Sequence, residues 1–187
     1  MRNNLNGLRC YFAHPIENHK SEDYVAKQKN ILGEFLSQRG SVFIDPKNLS
    51  FHGISELLNK DEIIQKHGYK ELRRQMKSIV RKDLRSVDVS DFVVGFLPKN
   101  IKTTGTIHEI IQSDNQKKPT LLVCPDGVEN IPAWFFGIIP LEYMFGSIED
   151  LIKYLDNIDL ANVETMKDDR WQFIMNCLQY HKNVLNV

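Results

Sequence analysis

The run Asp91-Phe92-Val93-Val94-Gly95-Phe96-Leu97-Pro98 narrows the possible folds more than any other segment. It is too short for an ordinary helix, apolar at both alternating sets of positions, and closed by proline. A strand apolar on both faces is buried on both faces, which happens in parallel sheets covered by helices. Similar short runs occupy residues 8–13, 41–44 and 119–124, and residues 141–145 are read as a short fifth strand. Helical spacing fills the intervals. Residues 21–39 carry Val25, Ile31, Leu32, Phe35 and Leu36, with Gly40 as a stop. Residues 63–87 predict a long polar helix, and another opens at Gly105 and runs to about Ser113. Ser147 and Asp150 have the spacing of a capping box, with Asp in place of the usual Glu, before a helix to Leu155. Residues 163–185 predict an amphipathic helix with Trp171, Ile174, Met175 and Leu178 on its apolar side. Residues 51–59 fit either a short helix or an irregular loop. Alternation of this kind predicts an α/β fold: a Rossmann-like (flavodoxin-like) parallel sheet of about five strands with helices on both faces. One domain spans residues 1–187, with a C-terminal helical extension from about residue 160.

The chain has 187 residues, enough to bury a core without staples. Lys plus Arg and Asp plus Glu both number 24, so the formal net charge is zero. That balance argues against general binding to nucleic acid or a membrane surface and leaves room for one local phosphate pocket. The basic stretch Lys70, Arg73, Arg74, Lys77, Arg81, Lys82 and Arg85 is read as a solvated helix face. Of the cysteines, Cys10 and Cys124 sit in strand-like runs, and neither they nor Cys177 form a CxxC pair. Reduced thiols and a cytoplasmic location are expected. Residues 1–7 are polar, unlike an apolar leader, and no apolar run approaches the roughly 20 residues of a membrane span. His14, His19, His52 and His67 lack metal-ligand spacing, so neither metal nor cofactor is expected.

Ligands of open parallel sheets bind at the carboxyl ends of the strands, near the switch in strand order. Attention therefore falls on residues 11–16, 45–48, 97–109 and 125–127. Three motifs converge there: Tyr11-Phe12-Ala13-His14-Pro15-Ile16, Asp83-Leu84-Arg85 and Gly105-Thr106-Ile107-His108-Glu109-Ile110. Taken singly, each has an ordinary explanation. Glu109 suits the first turn of a helix, where the dipole favours an acid. Tyr11 suits a core with its hydroxyl satisfied. Asp83, His14 and His108 suit structural or solvated positions. Trp134-Phe135-Phe136 suits a packing cluster, an oligomer surface or a lid over a base.

In order and spacing, these motifs together resemble the nucleoside 2-deoxyribosyltransferase family and its relatives, the 2′-deoxynucleoside 5′-monophosphate N-hydrolases. The resemblance covers roughly residues 8–155. It includes Ser90-Asp91-Phe92-Val93-Val94 after the Asp83-Leu84 pair, and Lys118-Pro119-Thr120-Leu121-Leu122-Val123 as the following strand. It implies cleavage or transfer at an N-glycosidic bond, with Glu109 attacking the anomeric carbon, Tyr11 orienting that carboxylate and Asp83 assisting departure of the base. Ala13, His14, Pro15, Asp45, Thr103, Thr104, Gly105 and His108 are the expected substrate contacts. The chemistry is coherent: a carboxylate stabilises or captures the oxocarbenium-like sugar, and a second acid helps a poor leaving group. The implied partner is a small nucleoside or nucleotide, and a homo-oligomer is expected because relatives complete their sites with neighbouring subunits.

Two departures bear on the substrate. Lys102-Thr103-Thr104 stands where transferases carry an Asp and N-hydrolases carry small, phosphate-contacting residues. His19, Lys20 and Ser21 stand in place of the N-hydrolases' phosphate loop. Transfer versus hydrolysis, and the need for a 5′-phosphate, stay open on sequence. A non-catalytic ADP-ribose-type nucleotide-binding protein and an NAD glycohydrolase are the alternatives.

Overall fold

Five apolar runs pair side by side as parallel strands in the computed structural model, which describes residues 2–15, 22–48, 60–99 and 104–185. The strands are β1 (Arg9–Ala13), β2 (Val42–Ile44), β3 (Phe92–Phe96), β4 (Thr120–Val123) and β5 (Met144–Phe145), in spatial order β2-β1-β3-β4-β5. The helices are α1 (Glu22–Gln38), α2 (Lys60–Val89), α3 (Thr104–Asn115), α4 (Ile148–Leu160) and α5 (Asp169–Leu185). Residues 51–59, together with His19, Lys20, Ser21 and Thr103, lie outside the described residues. The expected α/β class, strand count and two helical layers are all present.

Strand alternation divides the sheet into two unlike faces. Cys10, Phe12, Phe92, Val94 and Phe96 join the large core with Val25, Leu32 and Leu36 of α1, Leu151 and Leu155 of α4, and Trp171 and Met175 of α5. Trp171 is fully buried, its ring centroid 5.2 Å from that of Phe92 with the planes tilted by 52°, and donates from Nε1 to the Tyr154 hydroxyl at 2.9 Å. The segment beyond residue 160 is thus built into the core of the sheet domain. The opposite face carries the smaller cluster of Tyr11, Ala13 and Val93 against Val87 of α2, with α3 packed beside α2.

Several elements differ in detail from their sequence expectation. α2 begins earlier than residue 63 and is two helical pieces meeting at Gly68, whose φ of 77° and ψ of 175° are a conformation open essentially to glycine alone. Residues 141–143 form a 3₁₀ turn, so only Met144 and Phe145 pair as strand. α4 runs on to Leu160 from an N-cap at Ser147: the Ser147 hydroxyl accepts from Asp150 N at 3.1 Å and donates to Asp150 Oδ2 at 2.8 Å. Trp134-Phe135-Phe136 splits, with Phe135 buried and Trp134 74% exposed. Among the described residues, no helix is long and apolar enough to cross a membrane.

Candidate functional site

The chain leaves β1 toward β2 on one side, then returns across β1 to place β3 on the other. The carboxyl ends of β1 and β3 therefore flank the switch point, where crossover connections diverge and leave a crevice. In-register pairing sets Tyr11 opposite Val93 and Ala13 opposite Gly95 at this seam.

Tyr11 points to the α2 and α3 side, is fully buried, and donates its hydroxyl to Glu109 Oε1 at 2.9 Å. Glu109 is 6% exposed. The two residues are 98 positions apart and meet because β1 and the helix after β3 converge at the switch point. One sequence expectation is corrected here. α3 starts at Thr104 and has no acidic residue in its first turn, so Glu109 sits in the second turn. The helix dipole fades within the first turn. A fixed hydroxyl donor at hydrogen-bond distance is therefore the stronger local support for this carboxylate.

Gly95 governs how closely α3 can approach, and sequence reasoning passed over it. A Cβ at Gly95 would lie 2.6 Å from Ile110 Cδ1 and 2.7 Å from Ile110 Cγ1, inside contact distance. The missing side chain lets α3 settle on β3 at Ile110, the residue after Glu109. A glycine inside a buried strand is the available signal for such an approach.

Asp83 lies on α2, 8% exposed, one helical turn before the Val87 that packs on Tyr11. α2 runs antiparallel to the strands, so that turn carries Asp83 toward their carboxyl edge. Lys82 anchors the neighbourhood, donating to the Pro46 carbonyl at 3.2 Å, with its Nζ 3.5 Å from Asp83 Oδ1. The basic stretch expected to face water is therefore mixed: Arg74 is exposed, whereas Lys82 is largely buried at the sheet's rim.

His14 and Asp45 are brought together with each other. His14 sits on the Phe12 side of the sheet, its ring 5.2 Å from that of Phe12. Its Nε2 lies 3.2 Å from Asp45 Oδ1 and its Nδ1 3.2 Å from the carbonyl of the buried Pro15. Lys29 of α1 donates to Asp45 Oδ2 at 2.7 Å, and the Lys47 backbone N–H donates to Oδ1 at 3.0 Å. Burial opposes the charge on Asp45, but the bonds from His14 and Lys29 outweigh it and bring its pKa down from 3.8 to about 2. This cluster clamps the ends of β1 and β2 to α1. Thr104, Gly105 and His108 are exposed around the start of α3, and Gly105 has open space where a side chain would be. Ala13 is buried at the end of β1.

No family model and no curated protein matches the chain. Solved structures do. A 2-deoxyribosyltransferase from Bacillus psychrosaccharolyticus superposes with a TM-score of 0.58 at 20% identity, covering 78% of this chain and 91% of its own. A conserved protein from Enterococcus faecalis V583 gives 0.59 at 19% identity, covering 81% and 98%. A CMP N-glycosidase from Clostridium botulinum gives 0.49 at 16% identity, covering 79% and 97%. The first establishes that the chain shares its fold with a 2-deoxyribosyltransferase, and the second that it shares it with the conserved protein.

Proposed function

We propose that this protein cleaves or transfers at the N-glycosidic bond of a nucleoside or nucleotide, with Glu109 as nucleophile. The observation that carries the proposal is the buried 2.9 Å bond from the Tyr11 hydroxyl to Glu109 Oε1 at the switch-point crevice. The shared fold with a 2-deoxyribosyltransferase supports it. Tyr11 holds one carboxylate oxygen and thereby fixes the rotamer in which the carboxylate meets the anomeric carbon. As the bond from a Glu109 carboxylate oxygen to C1′ forms, the C1′–N bond breaks and its electron pair leaves on the base nitrogen. Asp83, buried on the neighbouring helix, assists that departure by giving or relaying a proton to the base. Water resolves the glycosyl ester in hydrolysis; the nitrogen of an acceptor base resolves it in transfer. The small-molecule partner is the nucleoside or nucleotide itself. Exposed Trp134, Phe136 and Leu141 are the proposed surface for self-association.

The test is to incubate the protein with nucleosides and nucleoside 5′-monophosphates, with and without a free acceptor base, and follow products by chromatography. Free base without an acceptor indicates hydrolysis, and exchanged nucleoside indicates transfer. Glu109→Gln and Glu109→Ala should each lower turnover at least about a thousandfold, as loss of a covalent nucleophile does. Activity within tenfold of wild type in either variant would remove Glu109 from the nucleophile role.

A further inference from the structure

We infer that Thr106 is the residue through which this crevice recognises a ribose 2′-hydroxyl, making ribonucleosides or ribonucleotides the preferred substrate class; the inference rests on the glycosidic chemistry proposed above. α3 turns one stripe toward the rest of the fold, its buried residues being Thr106, Glu109, Ile110, Ser113 and Asp114. The polar groups of that stripe are paired in all but one case. Asp114 Oδ1 accepts from Arg170 Nη2 at 2.8 Å, the Ser113 and Thr120 hydroxyls bond at 2.8 Å, and Glu109 accepts from Tyr11. Thr106 is 3% exposed, and among the described residues its hydroxyl has no hydrogen-bond partner. The hydroxyl is not fully buried: it keeps a small opening through which a partner can reach it. A ligand hydroxyl supplies the missing partner.

The position fits that ligand. Thr106 and Glu109 are three residues apart on one helix, so their side chains are neighbours about 5–6 Å apart at Cβ. Cα–Cβ bonds tilt toward a helix's N-terminus, which for α3 is the carboxyl edge of the sheet. The Thr106 side chain therefore lies on the crevice side of Glu109. A carboxylate displacing the base attacks the sugar face opposite that base. The ribose 2′-hydroxyl projects from that same face, on the carbon next to the one attacked. Hydrogen bonds to a sugar 2-hydroxyl strengthen as oxocarbenium character develops, so this contact aids the transition state as well as binding. A 2′-deoxy sugar has no group to meet it.

The experiment measures kcat/KM for nucleosides and 5′-monophosphates of the four common bases, each as a ribose and 2′-deoxyribose pair, with wild type, Thr106→Val, Thr106→Ala and Thr106→Ser. The 3′-deoxy analogue of the preferred base is added. Wild type should favour ribose. Thr106→Val and Thr106→Ala should each lower the ribose-to-deoxyribose ratio at least tenfold, and Thr106→Ser should return it to within threefold of wild type. Wild-type preference for 2′-deoxyribose, an unchanged ratio in the variants, or discrimination confined to the 3′-deoxy analogue would overturn the assignment while leaving the glycosidic reaction standing. A wild-type protein that cleaves none of these compounds overturns the reaction and this inference together.

Discussion

The two faces of the sheet are built on different principles. The α1, α4 and α5 face is a continuous aromatic and aliphatic core crossed by few polar groups, with Phe12, Phe92, Phe96 and Trp171 at its centre. The α2 and α3 face has a smaller apolar cluster and Ile110 and, around them, a buried tyrosine, three buried carboxylic acids (Asp83, Glu109 and Asp114) and buried Thr106 and Ser113. Hydrophobic burial is non-directional and scales with area, so the first face supplies stability without demanding a unique geometry for each atom. Buried polar groups are costly unless each is met by a partner at the correct distance, so the second face gains geometric specificity at some cost in stability. A fold can carry such a face because the other one holds it together.

This division can be broken by experiment. The largest effect belongs to Glu109: substitution should abolish turnover yet leave the thermal midpoint near or above wild type, because a buried acid is removed from the less stabilising face. Trp171→Ala should lower the unfolding free energy by about 3–5 kcal/mol, as loss of a fully buried large aromatic does. In that variant, kcat per folded molecule should stay within a few-fold of wild type, measured by denaturant melts beside active-site-normalised rates. A large fall in kcat would show that the two faces are coupled. Tyr11→Phe should behave in the reverse way. It removes one hydrogen bond worth about 1 kcal/mol of stability, but should lower kcat about a hundredfold by releasing the Glu109 rotamer, with KM little changed. Equal losses in kcat and stability would reduce Tyr11 to a packing residue.

The smallest effect concerns the clamp at the sheet's rim. Asp45 has its folded pKa depressed from 3.8 to about 2, so its carboxylate form stabilises the fold. The contribution is complete above about pH 4, falls as the pH drops toward 2, and is gone below that. It amounts to about 2 kcal/mol, since each tenfold change in proton affinity is worth roughly 1.4 kcal/mol. Asp45→Asn should flatten acid denaturation across that window, as read by circular dichroism. An identical acid limb in the variant would show that the clamp lies outside the cooperative core.

Local pattern carried much of the architecture. Two-sided apolar strands, helical spacing from Val25 to Leu36 and the Ser147 to Asp150 cap are properties of neighbouring residues, and all appear in the fold. Tyr11, Asp83 and Glu109 were legible as a set only through their order along the chain, since each alone suits an ordinary structural position. The kink at Gly68, the shortness of β5 and the second-turn place of Glu109 were not legible. They depend on how one or two residues sit at an element's boundary, where local propensities are nearly balanced.

By itself the sequence determined that this protein is a parallel α/β sheet, because burial on both faces of a strand leaves a readable apolar pattern. Only the tertiary structure decided which polar residues meet. It joined Tyr11 to Glu109 across 98 positions, turned His14 and Asp45 toward each other, and left the Thr106 hydroxyl unpaired among the described residues on the stripe shared with Glu109. Those pairings follow from strand order and from the close approach of α3 over Gly95. A hydrogen bond is decided by tenths of an ångström between distant segments, and no local periodicity encodes that distance.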